Sequence, residues 1–358
     1  MRTQSTRIAV VLSIATVLLA GLPADASTAF LLKSAGGPLL AKNFDGEAAA
    51  GMLVVNQRGV AKTALVGANQ SPVRWTSRYG SVTFNQQGRE FPFGGMNETG
   101  LAMESLWLTE TRYPEPGDRQ TIGVLQWIQY CLDSFRRVDD VVASASELAI
   151  TGSATFHFLA CDATASCAVI EFLDGKLVER NTRTLPLPVL SDDTYATSLD
   201  YLNRTLGYGG EPVTPEGIGS LPRFARAANG AHAARSKPGD SPITDAFAVL
   251  ADVAQPKSTR WSIVYELTTG RINFRTAELP AIRSIDLSRL DLDCTADRLM
   301  LDLATEITGD VTSHLTPYTP EADRRVVEAA SSAASAPAPG DVERIIAYPE
   351  GLLCTFSQ

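Results

Sequence analysis

The chain has 358 residues, 44% of them hydrophobic and 20% charged, with a formal net charge of -9 at pH 7. That is room for one large domain or two small ones, in the proportions of a globular protein. A negative chain repels phosphates, which excludes nucleic acid and anionic membrane surfaces as natural partners.

In chain order, Arg2 and Arg7 form a short basic region before an almost unbroken apolar run at 8–22, which is short for a membrane span. Ala24 and Ala26 then supply the small residues of an A-x-A cleavage site. The sequence therefore predicts a signal peptide over 1–26, a periplasmic or secreted mature protein, and no membrane segment once the signal is gone. Cutting after Ala26 makes Ser27 the first residue, with a free α-amine beside its own hydroxyl. Such an amine titrates near ~8 and can serve as a base around neutral pH. A serine hydroxyl needs a base of that kind to act as a nucleophile.

From 28 to about 110 the pattern is β-rich. Thr28, Phe30 and Leu32 alternate, Gly36-Gly37-Pro38 turns, and short apolar runs follow at 52–55, 60–66 and 82–84 between Gly, Asn and Pro residues. Helical spacing predicts a helix over 121–135 with Thr121 as its cap, and a second over 138–148 with Asp139 and Asp140 in its first turn. A hairpin series follows at 154–161, 167–172 and 176–183, the last pair joined by Asp174-Gly175. Ser191-Asp192-Asp193 is expected to cap a helix over 195–206. A Gly/Pro-rich loop at 207–219 precedes helices at 222–234 and 242–254 and a hairpin at 262–267 and 271–276. Beyond 280 the pattern weakens. The Ala/Ser/Pro-rich stretch 329–340 reads as a flexible connector between a domain over 27–328 and a C-terminal tail, 341–358, packing back on it. Sheet, helices, then sheet again predicts an α+β domain with stacked layers.

Five cysteines in an exported chain invite disulfides. Cys161 and Cys167 are spaced to brace a hairpin, Cys294 and Cys354 are the other plausible pair, and Cys131 lies in a helical pattern as a buried thiol. The three histidines, His157, His232 and His314, are scattered, with no H-x-x-x-H or H-E-x-x-H, so neither a metal nor a cofactor is expected. No G-x-S-x-G supports a Ser-His-Asp esterase.

Several segments in one order carry a resemblance. These are Ser27 to Leu32 running on to Lys42-Asn43-Phe44-Asp45, then Met96-Asn97-Glu98-Thr99-Gly100-Leu101, and the hairpin region 156–178. They continue with 188–195, Pro222-Arg223-Phe224-Ala225-Arg226-Ala227, Trp261 to Tyr265, and Phe274-Arg275-Thr276. Together they resemble the choloylglycine hydrolase family, which includes bile salt hydrolases and penicillin V acylases, over about 27–291. The resemblance implies a four-layer αββα sandwich of antiparallel sheets, the fold of N-terminal nucleophile hydrolases, and hydrolysis of linear amide bonds through an acyl-enzyme. It implies Ser27 as nucleophile and, through its amine, as base. Asp45 would hold amine and hydroxyl in register, Asn97 would contribute to the oxyanion hole, and Arg223 would lend positive charge. Each alone also fits a plainer role: Asp45 a turn, Asn97 a hairpin, Arg223 a helix surface.

Two departures stand out. Ser27 replaces the family's cysteine, and Asp192 aligns with an asparagine whose amide donates to the oxyanion. A carboxylate accepts only, so at that place it would repel the oxyanion unless Ser191 slips into the role. Lys42 stands for an arginine, keeping charge but not the planar fork. The implied partner is a small N-acyl substrate taken up by a mostly apolar pocket; a homo-oligomer is left open. The rival expectation is a catalytically inactive relative that binds an acylated ligand or a partner protein.

Overall fold

The computed structural model describes residues 27–205, 219–236, 241–330 and 339–355. The expected signal peptide, nearly all of the 207–219 loop and most of the 329–340 connector lie outside the described residues. Strand β1 (Thr28–Ser34) and strand β2 (Gly37–Asp45) form the hairpin that organises the first sheet. Gly37 has φ 115, and a side chain built there would meet the Thr268 hydroxyl at 2.5 Å, so both backbone and space require glycine.

The first sheet runs Val189–Leu190, β1, β2, Thr259–Glu266, Arg271–Thr276, Arg283–Asp286, Gly309–Asp310. Only its last pair is parallel. The second runs Lys176–Arg180, Cys167–Leu173, Phe156–Cys161, Ala102–Trp107, Pro92–Asn97, Ser81–Asn85, Met52–Asn56, Leu299–Asp302, Thr316–Pro317, antiparallel throughout. The strands are apolar on both faces because each sheet is covered twice. Between the sheets Phe84 meets Tyr265 and Phe274 edge-on at 6.3 and 5.6 Å, and Phe44 meets Phe93 at 5.2 Å.

Helices α1 (Val124–Ser134) and α2 (Val138–Glu147) cover the second sheet. Trp127 stands edge-on to Phe158 at 4.9 Å and donates from Nε1 to Ser144 Oγ of α2 at 3.1 Å. Helix α3 (Tyr195–Leu202) leads to α4 (Ser220–Ser236) and α5 (Pro242–Asp252), which cover the first sheet. There Asn43 of β2 donates to Leu250 O of α5 at 2.7 Å and accepts from Ser262 Oγ at 2.7 Å. The order is helices, sheet, sheet, helices: the four-layer αββα sandwich.

Three expectations need correction. Residues 121–123 are not the first turn of a helix but a short strand, Thr121–Gly123, parallel to Ala149–Thr151. Thr121 spends its backbone on Ser71 and Val73 and leaves the cap position to Gly123. Helix α3 is capped by Thr194, whose hydroxyl accepts from Thr197 N–H at 3.2 Å, rather than by 191–193. It also stops at Leu202, where Arg204 and Thr205 bond back only three residues. Finally, 280 onward is not weakly ordered: Arg283–Asp286 and Gly309–Asp310 extend one sheet, Leu299–Asp302 and Thr316–Pro317 the other. Strands of two to four residues are too short to display a period of two.

Cys161–Cys167 and Cys294–Cys354 are bonded, and Cys131 is a buried free thiol. Helix α6 (Pro320–Ala330) and helix α7 (Pro339–Ala347) bring Val327, Ile345 and Ile346 against Phe91. Leu353 and Cys354 pair with Ala61 and Val60 at an outer edge.

Candidate active site

Ser27 immediately precedes β1, at the end of the first sheet where β2 finishes and Thr259–Glu266 begins. This edge gathers residues far apart in the chain, because β2 is the central strand of an antiparallel trio with β1 and Thr259–Glu266, and Val189–Leu190 adds to the free side of β1. Ser27 is 1% exposed. Its Oγ accepts from Asp45 N–H at 3.4 Å, and its N–H donates to Asp192 Oδ1 at 2.8 Å. In the full chain that nitrogen belongs to a peptide bond; in a chain cut after Ala26 it is the α-amine.

Asp192 stands two residues beyond the Val189–Leu190 strand, where the chain turns toward α3. Its Oδ2 pairs with an Arg223 NH2 group, and Arg223 Nε donates to Thr28 Oγ1 at 3.1 Å. Arg223 lies in the first turn of α4, which packs directly on β1. Asp45 ends β2; its Oδ1 accepts from Thr259 Oγ1 and its Oδ2 from Gln255 Nε2 at 3.2 Å. Serine, two carboxylates and a guanidinium from four separated segments thus meet at one strand end.

The electrostatics follow from burial. Loss of water pushes Asp45 up to about 6, while Thr259, Arg223, Gln255 and Lys42 pull it back. Asp192 is pushed up to about 8 for the same first reason, against Arg223 and the Ser27 N–H, with Asp45 adding to the rise. In a cut chain the α-ammonium would place a full positive charge at the 2.8 Å contact and favour ionised Asp192. A raised carboxyl holds its proton in the folded state, so Asp45 contributes less stability as pH rises from about 4 to about 6. Turnover should move the other way if ionised Asp45 orients the amine. The kcat/KM of the cut protein is expected to climb with an inflection at or below about 6, and Asp45→Asn to abolish that inflection. A pH–rate profile of both proteins checks it.

Asn97 does not join this cluster. Its two amide hydrogens go to Leu132 O at 2.8 Å and Phe135 O at 2.7 Å, and its Oδ1 accepts from Thr99 N–H, Thr99 Oγ1 and Leu101 N–H. It is fully buried and its hydrogen bonds build the turn before Ala102–Trp107, leaving no donor for an oxyanion. The expected oxyanion role is therefore corrected to a structural one. Ser191 does not donate toward Ser27 either; its Oγ donates to Ser220 O at 3.0 Å. Lys42 is spent between the sheets on Glu104 Oε2 and Ser105 O, both at 2.7 Å. Thr259 and Gln255 went unnoticed in the sequence, since nothing local marks a residue as the partner of a carboxylate some 210 positions away. Among the described residues no group of three or more His, Cys, Asp or Glu side chains could hold a metal ion.

Two facing sheets, almost wholly antiparallel, between helix layers, with a serine at the head of an inner strand, have the arrangement of the N-terminal nucleophile hydrolase fold. A model of linear amide C–N hydrolases of the choloylglycine hydrolase family matches residues 30–182. Penicillin V acylase of Pectobacterium atrosepticum is 26% identical over 300 residues, covering 71% of this chain and 80% of that protein. Penicillin V acylase from Agrobacterium tumefaciens matches in structure with a TM-score of 0.71 at 28% identity, over 82% of this chain and 98% of that one. A mutant conjugated bile acid hydrolase from Clostridium perfringens, at 20% identity, shares the fold with a TM-score of 0.65 over 79% and 98%. Over residues 30–182 the chain is therefore similar to the choloylglycine hydrolase family of linear amide C–N hydrolases, and its fold is that of the penicillin V acylases it resembles.

Proposed function

We propose that the protein is exported, cut after Ala26, and hydrolyses an N-acyl amide with Ser27 as nucleophile and the Ser27 α-amine as base. The observation that carries this reading is the double contact of Ser27: nitrogen on Asp192, hydroxyl on the backbone of Asp45. An amine that takes the hydroxyl proton becomes an ammonium, and a carboxylate at 2.8 Å stabilises it in that form. Asp192 thereby does for the base what a hydroxyl nucleophile needs more than a thiol does. The Oγ–carbonyl bond forms, the amide C–N bond breaks with the proton delivered to the leaving nitrogen, and water then releases the acyl group. Arg223 supplies positive charge for the tetrahedral intermediate. Penicillin V acylases are the relatives at hand, so an aromatic acyl group is the first substrate to offer.

N-terminal sequencing of the exported protein, followed by acylation with a reactive penicillin or ester probe and mass mapping, tests the proposal. A chain starting at Ser27 and labelled there is the expected result; a folded, correctly cut and unlabelled chain overturns it. The second reading, an inactive relative binding an acylated ligand or a partner protein, is favoured by one observation. Neither side-chain amide foreseen for the oxyanion is available, Asn97 being spent and position 192 being a carboxylate.

A further inference from the structure

Asp192 sits on a turn whose geometry is held by residues outside the cluster around Ser27. Glu171 lies on the Cys167–Leu173 strand, and the register Phe158↔Ile170 sets it directly across from His157. Its Oε1 meets His157 Nδ1 at 3.1 Å and accepts from Tyr195 N–H at 2.8 Å. Tyr195 opens α3, three positions after Asp192. The Tyr195 hydroxyl donates to Leu187 O at 2.8 Å and accepts from Leu187 N–H at 3.2 Å. One tyrosine therefore closes the segment 187–195 on itself, and one carboxylate ties that segment to the other sheet. His157, Glu171 and Tyr195 are at most 1% exposed.

A carboxylate with no access to water is costly, and an apolar side chain of similar size would fill the same space without that penalty. What the carboxylate adds is a fixed acceptor for two N–H groups. One of them is the backbone of the element that carries Asp192. Displacing a reacting group by about 1 Å can cost on the order of a hundredfold in rate, so a brace on that backbone bears directly on the reaction.

We propose that Glu171, oriented by His157, is a positioning residue for the Ser27 site, acting through Tyr195 N–H to set the Asp192 carboxylate against the Ser27 nitrogen. It touches neither the substrate nor Ser27. The proposal rests on the reading of the Ser27 α-amine as base.

The test uses the cut protein and the variants Glu171→Leu, Glu171→Gln and Glu171→Asp, with two readouts. One is kcat and KM for an N-acyl amide as a function of pH. The other is the titration midpoint of the Ser27 amine, followed by NMR after reductive methylation with labelled formaldehyde, which needs no turnover. Glu171→Gln keeps an acceptor oxygen in place and should stay within about threefold of the parent in kcat. Glu171→Leu removes the acceptor and should lower kcat about tenfold or more with little change in KM, while the amine midpoint falls by about half a unit as its carboxylate drifts away. Glu171→Asp withdraws the oxygen by one methylene and should move both readouts the same way, which keeps the test decisive if Glu171→Leu does not fold. A folded Glu171→Leu or Glu171→Asp protein with an unmoved amine midpoint overturns the proposal. A parent protein with no turnover whose amine midpoint still follows Glu171 would sink the amidase reading and leave the positioning role standing.

Discussion

Ser27→Ala should yield a folded protein whose amide turnover is lost, by on the order of 10⁴- to 10⁶-fold in kcat. The reason is that the substitution removes the hydroxyl proposed to form the acyl bond while leaving the nitrogen of residue 27, Asp45, Asp192 and Arg223 in place. Packing hardly changes, because Ser27 Oγ makes one long contact, 3.4 Å from Asp45 N. Thermal melts should therefore overlay while the probe adduct disappears. Ser27→Cys should retain or raise turnover, since a thiol is more readily deprotonated than a hydroxyl and less dependent on the base. Equal rates in the parent and Ser27→Ala would mean that some other residue is the nucleophile.

Arg223→Ala is expected to be the most damaging change to the fold at this site. The Arg223 and Asp192 side chains are 3% and 9% exposed, so the pair lies in a region of weak screening. Taking away Arg223 removes the charge that opposes the rise of Asp192, so the buried carboxyl must either take up a proton or stay uncompensated, and breaking such a pair typically costs about 3–5 kcal/mol. The same change removes the positive charge assigned to the tetrahedral intermediate, worth about 2.7–4 kcal/mol of barrier, or a hundredfold and more in kcat. Denaturant unfolding and kcat of the cut protein measure both effects. Arg223→Ala/Asp192→Asn removes the buried carboxyl as well, so it should recover much of the stability and none of the turnover. A double variant as unstable as the single one would show that Arg223 acts through packing on Thr28 and β1 rather than through Asp192.

The resemblance in sequence placed Ser27, Asp45 and Arg223 in one site, and all three meet at the head of β1. It misplaced Asn97, because a motif records which residue type is present and not where its hydrogen bonds go. Asn97 carries the same letters before Glu98-Thr99-Gly100 whether its amide faces a substrate or folds back on Leu132 and Phe135. For Asp192 the sequence exposed a conflict, a carboxylate aligned with an amide donor, without a resolution. The structure turns that carboxylate to the Ser27 nitrogen, where an acceptor is what the proposed chemistry needs. The strands after 280 were missed for a different reason: their pairing is decided by sheet edges already formed, not by their own few residues.

By itself the sequence determined the elements with strong local codes. The Asp174-Gly175 turn is one, both residues having positive φ as its hairpin requires. The pairing of Cys161 with Cys167 and the apolar runs of the core strands are others. Only the tertiary structure decided which carboxylate meets the Ser27 nitrogen, which carboxylate ties Tyr195 to the other sheet, and where the Asn97 amide goes. Those answers depend on the directions of side chains on segments up to about two hundred residues apart, and the approach of such segments is set by the stacking of whole layers, which no local pattern encodes.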